Sequence, residues 1–181
     1  IRELFIGSNT EKVVRVADMP VLVIKEKYDK FEIKNMVFAS NFQEESITSF
    51  LKIKRLAQLL NPVIHLLKVN TRNEFEKTKT IEDSMQVFAK RFNLENYTTQ
   101  IYYDDTVEDG INHFSKVIKA DMIAMETHGR TGLAHVIIGS ITEDLVNHVS
   151  LPVLTVNMLK KIQIQKTNNK KSQSVIFEKE Y

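Results

Sequence analysis

Apolar residues follow two rhythms along this chain. Short, nearly unbroken apolar runs alternate with longer stretches in which they return every three or four positions. Residues 34–40 (Lys-Asn-Met-Val-Phe-Ala-Ser) form the first run. Residues 44–60 then carry Ile47, Phe50, Leu51, Ile53, Leu56 and Leu60, mostly at helical spacing. Asn61-Pro62 is a break, and a second run fills 62–69. Residues 74–92 place Ile81, Met85, Phe88 and Phe92 on one helical face. Residues 97–103, Tyr-Thr-Thr-Gln-Ile-Tyr-Tyr, are rich in β-formers. A helix over 107–119 turns Ile111, Phe114, Val117 and Ile118 inward. Runs at 121–126 and 152–156 flank a fourth helix over 140–149.

Strands alternating with helices predict parallel pairing through right-handed crossovers. The runs at 62–69, 121–126 and 152–156 suit a sheet covered on both faces. The pattern therefore predicts one α/β domain over residues 32–157.

The segment from Phe5 to Ile24 recurs at 137–156. Gly7, Ser8, Thr10, Glu11, Val14, Pro20, Val21 and Leu22 each meet an identical residue 132 positions later. That offset is about the length of one small domain. Residues 1–26 are thus expected to be the last helix and strand of a preceding domain, residues 27–31 a linker, and the chain part of a longer protein. Residues 158–181 are expected to form a basic, polar, irregular tail, with Lys160, Lys161, Lys166, Lys170 and Lys171 solvated rather than bound to nucleic acid.

Composition narrows the classes. At 181 residues, 43% hydrophobic and 27% charged, the chain has material for one sizeable core. A net charge of +2 gives little pull toward nucleic acid or anionic lipid, so neither is an expected partner. Cysteine is absent, which excludes disulfides, a thiol nucleophile and thiolate metal sites and fits a reducing compartment; a cytoplasmic location is expected. No apolar run reaches the roughly 18 residues that a membrane span needs.

Chemistry concentrates in residues 126–143, Glu-Thr-His-Gly-Arg-Thr-Gly-Leu-Ala-His-Val-Ile-Ile-Gly-Ser-Ile-Thr-Glu. A glycine-bearing loop after a parallel strand, leading into a helix, is where an open α/β sheet binds ligands. Gly139-Ser140 opens that helix with unpaired N–H donors. Ser140 and Glu143 also fit a capping box, so a capped helix that binds nothing fits the same residues.

This segment, with Leu-Pro-Val-Leu-Thr-Val after it, resembles the universal stress protein family. The family's signature is Gly, two residues, Gly, nine residues, Gly, then Ser or Thr. Gly129 and Gly139-Ser140 fit it. The resemblance covers residues 32–157, and 1–26 resemble the family's last helix and strand. It implies a five-stranded parallel open sheet, order 3-2-1-4-5, with helices on both faces, akin to adenine nucleotide alpha hydrolases. It also implies ATP or another adenine nucleotide as ligand, held by Asn41, Val69, His128, Gly129, Gly139, Ser140 and Thr142.

Two positions depart from the signature. Glu126 stands where the first glycine is expected, and Asn41 where nucleotide-binding members resemble one another in an Asp. A carboxylate about 4 Å from a phosphate charge costs roughly 1–4 kcal/mol in partly solvated surroundings. Arg130 is placed to offset part of that cost. A degenerate nucleotide site is therefore expected, in a stress-response regulatory or assembly module. A working ATP or AMP site is the alternative, and slow ATP hydrolysis a further one. No catalytic residue is assigned. His65 reads as a satisfied strand histidine, His135 and His148 as helix-surface or interface residues, and no metal site is expected. Asp104 and Asp105 read as caps of the helix from Val107.

The last strand is expected at a sheet edge, and relatives in this family commonly dimerise through it. Pro20 to Ile24 is expected to pair antiparallel with Pro152 to Val156, through Val21, Leu22 and Val23 on one side and Val153, Leu154 and Thr155 on the other. This is the expected route to a homodimer or to pairing of tandem domains.

Overall fold

In the computed structural model, residues 10, 12–14, 17, 19–128 and 145–158 are described. The strands are β1 (Val21–Val23), β2 (Asn35–Ala39), β3 (Val63–Asn70), β4 (Tyr97–Tyr103), β5 (Met122–His128) and β6 (Val153–Met158). The helices are α1 (Glu44–Leu60), α2 (Thr78–Arg91) and α3 (Val107–Val117), and residues 145–148 are also helical. All strands join one sheet in the order β1-β6-β5-β2-β3-β4.

The expectation of five parallel strands is corrected here. The sheet has six strands and is mixed, because β1 joins β6 antiparallel while every other pairing is parallel. The physical reason is the edge: β6 would otherwise leave a row of unpaired backbone groups, and Val21–Val23 covers them.

The register of that pairing is specific. Val21 faces Thr155, Leu22 faces Leu154 and Val23 faces Val153. Leu22 and Leu154 are equivalent positions of the sequence repeat, so the contact is centred on two equivalents. A two-fold, self-complementary contact has this arrangement. The Thr155 hydroxyl donates to the Val21 carbonyl at 3.3 Å, and Lys25 Nζ donates to the Asn147 carbonyl at 2.7 Å. The Asn157 side chain donates to the Val14 carbonyl at 3.4 Å and also to the Ala17 carbonyl.

Alternation along the strands builds two cores. Met36, Phe38, Leu66, Met122, Ala124 and Leu154 face α1 and α2, where Phe50, Ile53, Met85 and Phe88 meet them. Val37, Leu67, Val69, Ile123 and Val153 face Ile111 and Phe114 of α3, together with Leu145 and Val146. On the first face Phe38 stacks on Phe88 at 5.7 Å, and Phe50 meets Phe88 at 4.9 Å. Such ring pairs add about 0.5–1.5 kcal/mol beyond area burial.

Two local expectations change. The second helix starts at Thr78, not residue 74, because side chains hold the preceding loop. The Asn70 amide both donates to the Glu76 carbonyl and accepts from the Glu76 N–H, at 2.9 Å each. The α3 cap is Thr106, which accepts from the Asp109 N–H at 3.0 Å. Asp104 instead binds His113 Nδ1 at 2.7 Å, and this bond holds its carboxyl below the usual range. His65 sits on β3 within reach of Thr98 (2.8 Å) and Asn35 (3.2 Å), and His148 is exposed on its helical turn; His135 lies outside the described residues.

Candidate functional site

The chain runs β2 to β3 to β4 in one direction across the sheet, then returns to β5 and β6 on the other side of β2. The order therefore reverses between β2 and β5. A crevice opens at such a switch point, beyond the C-terminal ends of the strands, and ligands of open α/β sheets bind there.

Glu126 lies at this position, near the end of β5. Its alternation places the side chain on the α1 face. There the Ser46 hydroxyl, in the first turn of α1, donates to Glu126 Oε2 at 2.9 Å. The Ser40 hydroxyl, just past β2, donates to Ser46 Oγ at 3.0 Å, and the Phe42 N–H donates to Ser40 Oγ at 2.9 Å. Glu126 is only 8% exposed, and Oε1 has no hydrogen-bond partner among the described residues. Burial drives its carboxyl up to about 7; the Ser46 and Ser40 hydroxyls pull the other way, and the Glu45 charge adds to the rise.

The turn that delivers Ser40 to this point is strained. Phe42 has φ 55, a left-handed conformation that costs a bulky residue of order 1–3 kcal/mol. Packing holds it: the ring meets Phe88 edge-on at 5.3 Å and Phe38 at 6.0 Å. The tight turn leaves Asn41 exposed, just past the end of β2. Asn41 Oδ1 accepts from Lys68 Nζ at 2.7 Å, and Lys68 also pairs with Glu76 at 2.9 Å. Lys68 is buried and shares the sheet face of Glu126.

The structure thus gathers Asn41 with Lys68, and Glu126 with Ser40 and Ser46. It places the Val69 side chain on the opposite face, in the core against Gly110. A Cβ on Gly110 would lie 2.5 Å from Val69 Cγ1. His128 is the last residue of β5, while Gly129, Gly139, Ser140 and Thr142 lie outside the described residues. Sequence pattern alone does not mark Ser40, Ser46 and Lys68 as site residues. Their available signal was position: two hydroxyls around the β2–α1 turn, and a lysine inside an apolar run. Among the described residues, no group of three His, Cys, Asp or Glu stands ready to hold a metal ion, and no helix is long and apolar enough to cross a membrane.

The fold is that of an open-sheet α/β domain whose strand order reverses between β2 and β5. A model of the universal stress protein family matches residues 32–157, and the chain belongs to that family. It is 22% identical over 154 residues to Universal stress protein Slr1230 of Synechocystis sp., covering 83% of this chain and 51% of that protein. It is 41% identical over 99 residues to Universal stress protein MJ0531 of Methanocaldococcus jannaschii, covering 55% of this chain and 53% of that protein. The chain spans about half the length of these curated relatives. Among solved structures it resembles a universal stress protein from Archaeoglobus fulgidus, with TM-score 0.65 and 18% identity, covering 82% of this chain and 53% of that one. It also resembles a universal stress protein solved in complex with cAMP, with TM-score 0.57 and 14% identity, covering 71% of this chain and 99% of that one.

Proposed function

We propose that this domain is a stress-response regulatory and assembly module whose adenine-nucleotide position is altered. The observation that carries this reading is the Glu126 carboxyl, buried at the switch point and bonded to Ser46. An ionised carboxylate there opposes phosphate by roughly 1–4 kcal/mol, or about one to three decades of affinity. Asn41 supports the same reading, since Lys68 already occupies its acceptor oxygen.

Assembly is the other half of the proposal. The β1–β6 contact centred on Leu22 and Leu154 supports a symmetric pairing device, used between tandem domains or between copies of the chain. A cytoplasmic setting belongs to the proposal too. So does binding rather than turnover of any nucleotide.

A working nucleotide site is the second reading, favoured by the cAMP complex of a structure with the same fold. Isothermal titration with ATP and AMP at about pH 8 separates the two. The altered-site reading expects weak or no binding by the natural chain and clear binding by Glu126→Gly. Equal, tight binding by both proteins contradicts it.

A further inference from the structure

We propose that Glu126 makes the switch-point crevice a proton-linked anion site: an anionic ligand enters as the carboxyl takes up a proton from solvent, and the ionised carboxylate keeps it out. The proposal rests on reading this crevice as the ligand position.

Its first support is placement. The carboxyl stands where the strand order reverses, beyond the end of β2 and beside α1. Its second support is the pattern of partners. Phe42 N–H donates to Ser40, Ser40 to Ser46, and Ser46 to Glu126 Oε2. The donors all run toward one oxygen, while Oε1 has no partner among the described residues and the residue is 8% exposed. A buried carboxylate satisfied on one side only is poised to accept a proton or to meet a donor.

The surrounding charges do not fix the ionised form. From α1, Glu45 repels it and Ser46 donates to it. From the β2 turn comes Ser40, which carries no charge. β6 sets apolar Val156 beside Glu126. Lys68 of β3 shares the face but is engaged by Asn41 and Glu76. No described cation pairs with Glu126, so burial dominates and brings its titration to about 7. Gaining one proton turns a negative acceptor into a neutral group with an O–H to donate. The crevice then changes from repelling an anion to offering it a hydrogen bond.

The test uses cAMP, whose phosphodiester keeps one negative charge from about pH 6 to about pH 8, so that the protein alone titrates. Isothermal titration of the full chain is expected to show affinity about tenfold weaker at pH 8 than at pH 6. Measured in two buffers of different ionisation enthalpy at about pH 8, binding is expected to take up close to one proton. Glu126→Gln is expected to bind alike at both pH values with no proton uptake. Binding by the natural chain that ignores pH, or a Glu126→Gln variant with the same pH dependence, overturns the coupling while leaving a nucleotide site standing. No binding by either protein at pH 6 removes anion entry altogether and leaves the assembly reading. Where the variant fails to fold, a side-chain NMR titration of Glu126 in the natural chain with and without cAMP assigns the proton: cAMP is expected to raise the Glu126 midpoint, and a midpoint that cAMP leaves unchanged overturns the coupling.

Discussion

At the scale of single residues, Glu126 turns a sequence departure into a thermodynamic statement. Its carboxyl titrates at about 7 in the folded chain, against an ordinary value of 4.5. Between those values the folded state keeps a proton that the unfolded state has released. Stability therefore falls as pH rises from 4.5 to about 7, by roughly 3 kcal/mol from this one group. Thermal unfolding across that window is expected to show the decline in the natural chain, with Glu126→Gln lacking this contribution; parallel curves would count against it. Gly110 makes a second prediction. Alanine usually stabilises a helix by about 1 kcal/mol relative to glycine. Here its Cβ would meet Val69 at 2.5 Å, so Gly110→Ala is expected to destabilise by about 1–3 kcal/mol. Adding Val69→Ala should recover part of that loss in a double-mutant cycle of denaturant unfolding; strict additivity would refute the contact.

At the scale of elements, periodicity located β2 to β6 and the three full helices because their apolar faces are unambiguous. It erred where side chains override pattern. Asn70 and Glu76 hold a loop whose residues read as helix, so α2 begins later. Sequence pattern puts the α3 cap at Asp104 and Asp105, yet Thr106 and Asp109 bond reciprocally: the Asp109 N–H donates to Thr106 Oγ1, and the Thr106 hydroxyl donates to Asp109 Oδ2. That pair resembles a capping box and was legible in the Thr-x-x-Asp spacing. Thr106→Ala is expected to lose about 1 kcal/mol in urea unfolding, with Asp104→Ala affecting α3 less. The reverse ranking would restore the cap to Asp104. The site was only half legible for a related reason. Glu126 and Asn41 stood out against a family pattern, but Ser40, Ser46 and Lys68 acquire meaning only when the crossover brings α1 beside β5. Val69 is legible as a β3 residue, and the structure sets its side chain in the core on the α3 face, against Gly110.

At the scale of the whole molecule, the repeat fixes how the sheet ends. Five strands came from alternation along the chain; the sixth came from outside that domain and runs the other way, which periodicity inside 32–157 has no means to express. Pairing centred on Leu22 and Leu154 leaves β6 covered within one chain. Removing residues 1–26 is expected to bare that edge and produce a dimer in sedimentation experiments, with the longer chain sedimenting as a smaller species at equal concentration. A truncated domain that stays monomeric at high concentration would contradict the pairing role. The same scale sets the meaning of Glu126, since the reversal of strand order is what brings the end of β5 beside β2 and α1. The most direct test is the carboxyl itself: a carbon-detected NMR titration of the Glu126 side chain in the folded protein. The account predicts a midpoint near 7; a midpoint in the ordinary range near 4.5 would show a solvated carboxylate and contradict it.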